Sequence, residues 1–190
     1  NKIEELEAIV ANHDIGVIKM EVSRNVEPKD GFLEGVRKIA TDNNIVLIFD
    51  ELFTGFRWSL GGASEYFNIT PDLACFGKAI ANGMPVSCIA GKRHLMEKFE
   101  DVFFSFTYAG ETLSLVAIVE TIKKLKDKNV YEHIEKEGNY LIDGINDLII
   151  RHDLSKSISI IGYPFKSIFI FTQNDSYEPL ELKTLFQQEC

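Results

Sequence analysis

Two apolar runs that each end in a charged residue fix the frame of this chain. Ile45-Val-Leu-Ile-Phe-Asp50-Glu51 closes on acids, and Leu73-Ala-Cys-Phe-Gly77-Lys78 closes on a glycine and an amine. Short apolar runs bounded by turn signals read as strands buried on both faces, the habit of parallel sheets. Before the first run stand a shorter apolar segment, Ile15 to Met20, and a helical pattern from Gly31 to Asn43 with Phe32, Val36, Ile39 and Ala40 on one side. Strand, helix, strand at this spacing is a βαβ unit, so its strands should be parallel. The expected fold class is therefore α/β with a mostly parallel sheet. In such sheets ligands bind outside the carboxyl ends of the strands, where Asp50 and Lys78 fall.

The rest of the chain is read in the same way. Residues 1–12 place Ile3, Leu6, Ile9 and Val10 on one helical face. Residues 51–71 are a long loop rich in glycine, serine and aromatics, and long loops in compact domains are usually functional. Val86–Ala90 is a further strand, Lys92–Phe99 a short helix, and Phe103–Gly110 a tight aromatic segment. A helix opens at Thr112, apolar at first and charged by Lys123–Lys128. A second helix runs from about Val130 to Ile150 with Ile134, Leu141, Ile145 and Leu148 inward. Strands over Ser157–Ile161 and Ile168–Thr172 then begin a smaller α+β domain. The division expected is 1–112 for the larger domain, 113–128 for a bridging helix and 129–190 for the start of the smaller one. The chain opens and closes inside helical patterns, as an internal piece of a longer protein would.

Composition narrows the function. With 190 residues, 45% of them hydrophobic, the chain can bury one real core. A formal charge of −9 without a basic cluster argues against a nucleic-acid partner. No apolar stretch approaches the roughly 20 residues needed to span a bilayer, so a soluble protein is expected. Cys75, Cys88 and Cys190 lack metal-ligand spacing, and free thiols suit a reducing cytoplasm. His13, His94, His133 and His152 are scattered, so no metal site is expected. Ser105 and Ser114 have neither a nearby histidine nor a nucleophile elbow.

The two rim residues carry the chemistry. A carboxylate closing a buried strand is costly unless a cation pairs with it, which makes Asp50 either a structural acid or a partner for a metal or a cationic heterocycle. A lysine in an apolar setting is desolvated, and desolvation lowers an amine's pKa and makes it nucleophilic. A Schiff-base lysine with an acid opposite is the arrangement pyridoxal phosphate needs. A competing reading takes Asp50-Glu51 as the magnesium site of a nucleotide-hydrolysing domain, although no phosphate-loop motif is present. A third is a non-catalytic scaffold.

Residues 21–112 resemble the class III aminotransferases, the group of ω-aminotransferases and glutamate-1-semialdehyde 2,1-aminomutase. The resemblance rests on Gly31-Phe-Leu-Glu-Gly-Val-Arg37, Leu47-Ile-Phe-Asp-Glu-Leu-Phe-Thr-Gly-Phe-Arg57, Thr70-Pro-Asp-Leu73, Gly77-Lys78 with Asn82-Gly-Met-Pro85, and Phe106-Thr-Tyr-Ala-Gly110. The Gly-Phe-Arg and Asn-Gly-Met-Pro wording is nearest the aminomutase branch. What the resemblance implies is a pyridoxal-phosphate enzyme of fold type I that moves an amino group on a small amino or keto substrate. Lys78 matches the lysine of the internal aldimine. Asp50 matches the partner of the pyridinium nitrogen, and Leu52 the apolar residue against one ring face. Thr107 matches the threonine that reaches the cofactor phosphate of the dimer mate, which implies a homodimer with shared active sites. Glu51 reads as a supporting or structural acid. Arg57 reads either as an arginine bonding loop carbonyls or as a contact for a substrate carboxylate. One departure stands out: Glu111-Thr112 occupies the place of the family's Asn-Pro. An acid there favours the helix that follows. In the family the phosphate loop and the other ring-covering residue precede this region, so the isolated 190-residue chain is expected to hold cofactor poorly.

Overall fold

The computed structural model describes residues 2–127, 129–173 and 176–190. The chain forms two compact units. The first comprises Asn1–Ser23 and Glu27–Tyr131, the second Arg24–Val26 and Glu132–Cys190.

The first unit is built on a four-stranded sheet of β1 (Val17–Glu21), β2 (Val46–Glu51), β3 (Leu73–Phe76) and β4 (Cys88–Gly91), in that spatial order. β1, β2 and β3 run parallel, as the strand–helix–strand pattern requires, and β4 returns antiparallel. Helices α1 (Ile3–Asn12) and α2 (Phe32–Asp42) cover one face. Leu47 and Phe49 of β2 are sealed there against Leu33, Val36 and Ala40 of α2, with Ile3, Leu6 and Val10 of α1 packed around them. Leu33 is the deep residue of α2 together with Val36 and Ala40, whereas Phe32 and Ile39 are only half-buried. The opposite face is not apolar throughout. It carries Lys19, Asp50 and Cys75 across three neighbouring strands.

The amino ends of the strands are held by one buried acid. Asp72 accepts hydrogen bonds from the Leu47 amide at 2.7 Å and Arg37 at 2.9 Å, and pairs with Lys92 at 2.6 Å. It thereby ties α2, β2 and the end of β4 together. Burial pushes this carboxyl up, but the hydrogen bonds from Lys92, the Leu47 amide and Arg37 outweigh it, and the pKa falls to about 2. A folded value below the unfolded one stabilises the protein above the unfolded pKa and is lost as the pH falls through about 2. The difference corresponds to about 2 kcal/mol. Asp72→Asn is therefore expected to lower neutral-pH stability and to flatten the loss between pH 4 and 2, read by urea unfolding across that range. An unchanged acid limb would contradict this role.

Past the sheet, α3 (Gly62–Tyr66) interrupts what the sequence suggests is a continuous loop, and α4 (Arg93–Met96) is a single turn. α5 (Thr112–Asp127) lies within the first unit. Glu111 caps it directly, accepting from the amides of Leu113 and Ser114, both at 2.7 Å, and from the Ser114 hydroxyl at 2.5 Å. The Ser114 hydroxyl and these amides hold the Glu111 carboxyl below its ordinary value. The departure at this position thus has a local reason: the acid satisfies amides that a helix start leaves unpaired.

In the second unit, β5 (Ile158–Tyr163) and β6 (Lys166–Phe171) form an antiparallel hairpin. α7 (Pro179–Glu189) sets Phe186 against Phe169 and Phe171, with ring centroids at 4.8 and 5.6 Å. α6 (Val130–Arg151) buries Ile149, with Ile134, Ile142 and Ile145 half-buried along the same side. Leu141 and Leu148, expected inward, are exposed. The inward row is the neighbouring one, because apolar residues come in pairs at Leu141-Ile142 and Leu148-Ile149. Among the described residues no helix is long and apolar enough to cross a membrane. Lys128, which closes the expected bridging helix, lies outside the described residues.

Candidate active site

The carboxyl rim of β2 and β3 carries three of the predicted residues, Asp50, Leu52 and Lys78. Asp50 is the penultimate residue of β2 and pairs in register with Cys75 of β3. Lys78 follows β3 by two residues and opens a 3-10 turn through Ile80. Between them stands Leu52. Asp50 Oδ1 accepts the Leu52 amide at 3.2 Å, and the Leu52 side chain leans over Gly77. A Cβ built on Gly77 would meet Leu52 Cδ2 at 2.5 Å, so only glycine leaves this apolar side chain its place beside the lysine.

Lys78 itself is in the left-handed region, at φ 46°. Such a backbone costs a non-glycine residue of order 1–3 kcal/mol and persists where the surroundings impose it, as at ligand clamps. Its ammonium lies 5.5 Å from the centroid of the Phe53 ring. The desolvation expected of Lys78 is not supplied by this chain: the residue is exposed at the rim. The apolar run before it ends at Phe76, and the turn lifts Lys78 clear of the sheet.

Asp50 is mostly buried and already has a cation. Lys19 of β1 reaches its Oδ2 at 3.1 Å. Glu51, the next residue, points to the other face and is fully buried. Its Oε2 accepts from the Thr54 hydroxyl at 2.5 Å and the Ala63 amide at 3.0 Å. Its Oε1 accepts from the Ser64 amide at 2.7 Å and hydroxyl at 2.6 Å. Glu51 is thus the structural acid that folds the 51–66 loop and starts α3. Gly62, at φ 70°, is required beside it, since an added Cβ would lie 2.8 Å from Oε2. With the two acids on opposite faces, Asp50-Glu51 cannot close on one magnesium ion, and the nucleotide-hydrolysing reading loses its site. Among the described residues no group of three or more histidines, cysteines or acids could hold a metal.

Among the described residues Arg57 bonds no loop carbonyl. Its guanidinium lies 6.0 Å from the Phe53 ring centroid, and its buried Nε has no hydrogen-bond partner among the described residues. Phe56, at φ 61°, is a strained position on this loop, and neither it nor the Phe53 contacts could be read from sequence pattern.

Thr107 is exposed, in a turn between Phe106 and Tyr108. Those two, with Pro85, Val86, Ser87 and Leu115, line a cleft of about 470 Å³. Val86 and Ser87 also lie against Gly77. The aromatic segment is not a core: Phe103 is 96% and Phe106 55% exposed, and the apolar side of α5 continues the surface with Leu113 at 63%. Cys75 and Cys88 are free and half-buried, and burial pushes both thiols up.

The donor set suits pyridoxal phosphate. There is a primary amine for its aldehyde, a carboxylate for its protonated ring nitrogen, and an aliphatic side chain held between them.

Comparison with known proteins bears on the family and the fold. The chain is 45% identical to the glutamate-1-semialdehyde 2,1-aminomutase of Methanobrevibacter smithii over 127 residues, 65% of this chain and 30% of the relative. It is 36% identical to that of Methanococcoides burtonii over 178 residues, 89% of this chain and 42% of the relative. The chain thus spans well under half the length of these curated relatives. Among solved structures it is similar to the FumI protein of Sphingopyxis sp. MTA144 in its PLP internal aldimine form, with TM-score 0.82 and 22% identity over 90% of this chain and 43% of that one. It is also similar to the ornithine delta-aminotransferase of Plasmodium falciparum, with TM-score 0.80 and 22% identity over 98% of this chain and 50% of that one. These likenesses show the fold of PLP-dependent aminotransferases, fold type I, as the motifs implied. Residues 23–174 match the family Aminotransferase class-III, and the chain belongs to that family.

Proposed function

We propose that the whole protein moves amino groups with pyridoxal 5′-phosphate, either from an amine donor to a keto acceptor or between adjacent carbons of one small substrate. The observation that carries this is the placement of Lys78 and Asp50 at the carboxyl ends of adjacent parallel strands, with Leu52 between them. When bound, the cofactor withdraws electrons from the substrate carbon through its protonated ring nitrogen. Lys78 would hold the aldehyde carbon, and its amine would carry the proton at the reacting carbon as general base and acid. Asp50 keeps the ring nitrogen protonated by charge pairing. Leu52 supports one ring face.

Thr107 serves the cofactor phosphate of a second copy, so the working unit is a homodimer with shared sites. Its exposure, and the exposed apolar surface of residues 102–119 around it, support that reading, since so large a patch marks an interaction surface. The first unit is the second half of the cofactor-binding domain and the second unit the beginning of the small domain. Free half-buried thiols fit a cytoplasmic enzyme.

The test is a half-reaction on the full-length protein loaded with pyridoxal phosphate. A panel of amino acids, amino sugars and simple amines is offered, and the cofactor absorbance is followed. Conversion to the pyridoxamine form by at least one donor is expected. No conversion with any donor would favour a non-catalytic scaffold.

A further inference from the structure

Arg57 is a cation that the proposed chemistry leaves unused. Its Nε is buried and has no hydrogen-bond partner among the described residues. A desolvated N–H of a charged group is costly to leave unpaired, so an acceptor comes from water, from the rest of the full-length protein or from a ligand. The position of Arg57 favours the ligand. Its guanidinium carbon lies 6.0 Å from the centroid of the Phe53 ring, and the Lys78 ammonium lies 5.5 Å from the same centroid. One phenyl ring thus relates the guanidinium to the amine that would handle the reacting carbon, and a molecule of a few carbons spans the two. The ring supplies no lone pair to Nε, and its distance is at the outer limit of cation–π attraction.

The backbone around Arg57 is pinned. The Gly55 amide donates to the Glu51 carbonyl at 2.8 Å, and the Arg57 amide to the Thr54 carbonyl at 3.2 Å. A Cβ on Gly55 would lie 2.6 Å from the Glu51 carbonyl oxygen and 2.8 Å from Phe76 Cδ1, so the loop is drawn against the last residue of β3. Phe56, in its left-handed conformation, sets its ring 5.5 Å from that of Phe76. Phe76 precedes Lys78 by two residues, so this aromatic contact ties the Arg57 loop to the Lys78 turn.

We propose that Arg57 is a specificity-determining residue: its guanidinium receives a carboxylate of the substrate, so that amino and keto acids are preferred to plain amines and neutral amino sugars. The inference rests on the functional reading above. A guanidinium presents a rigid fork of N–H donors that a carboxylate fills two at a time, a match that a hydroxyl or an alkyl end does not offer.

The experiment uses the full-length protein loaded with pyridoxal phosphate. Amino acids are offered beside the amines that lack only their carboxylate, 4-aminobutyrate with propylamine and alanine with ethylamine. Half-reaction kcat/KM is compared in wild type, Arg57→Gln and Arg57→Lys, with folding checked by circular dichroism. Butyrate, a carboxylate without an amine, is titrated by calorimetry as a readout independent of turnover. Wild type is expected to prefer the acid of at least one pair. Arg57→Gln is expected to reduce that preference about 10- to 100-fold, mainly through KM, and to weaken butyrate binding by a similar factor. Arg57→Lys keeps the cation without the fork and should retain part of both, which keeps the test open if Arg57→Gln folds poorly. Equal losses for acid and amine, or butyrate binding that neither substitution weakens, would overturn the role and mark Arg57 as a structural cation. A wild type that converts amines without favouring either acid overturns it too, and leaves the cofactor reading intact. A wild type that converts no donor overturns both.

Discussion

Replacing Lys78 with alanine is expected to lower the amino-transfer half-reaction by about 10²–10⁴-fold or more, the range that a positioned proton-transfer group supplies. Cofactor should still enter the site, because Asp50 and its Lys19 contact lie on β2 and β1, away from the substitution. What disappears is the covalent link and the proton shuttle. Adding a small primary amine to Lys78→Ala should recover part of the rate, since the lost group is an amine at an exposed rim position that solutes can reach. Single-turnover kinetics with the best donor provide the measurement. A variant that keeps more than about a tenth of the rate would show that another group moves the proton.

The second large effect falls on a residue with no part in the chemistry. Glu51→Gln is expected to cost about 3 kcal/mol or more of stability, despite the near-identical shape. Each oxygen of Glu51 receives a backbone amide, from Ala63 on one side and Ser64 on the other. Whichever way a glutamine turns, its NH₂ meets a backbone N–H, and that amide loses its acceptor while two donors are forced together. The loop it organises carries Leu52, Phe53 and Arg57, so cofactor affinity should fall with stability. Urea unfolding and pyridoxal phosphate titration on one preparation check both. A Glu51→Gln protein within about 0.5 kcal/mol of wild type would contradict the structural role.

How far the sequence reached follows from the type of signal each element gives. The parallel strands β2 and β3 were legible because both are short apolar runs with sharp ends, and the intervening helix α2 gives a clean period. The rim was legible for the same reason, since a strand's end is where its ligand residues fall. α3 was not, because five residues beginning at glycine have no period to read, and its start depends on a tertiary partner, Glu51, twelve residues earlier. The inward side of α6 was misread by one residue where leucine and isoleucine stand side by side, since adjacent apolar residues leave two faces nearly equal. The exposure of Lys78 and the unpartnered Nε of Arg57 depend on how the 51–66 loop and the Lys78 turn fold in space. The Lys19–Asp50 pair needed the strand register, which apolar patterning does not give.

The most direct check joins one lysine to one aldehyde. The full-length protein is incubated with pyridoxal phosphate, reduced with borohydride, digested and mapped by mass spectrometry. A single stoichiometric pyridoxyl label on Lys78, weakened in Asp50→Ala, is the predicted result. Labelling spread over surface lysines, or a label that bypasses Lys78, would contradict the account.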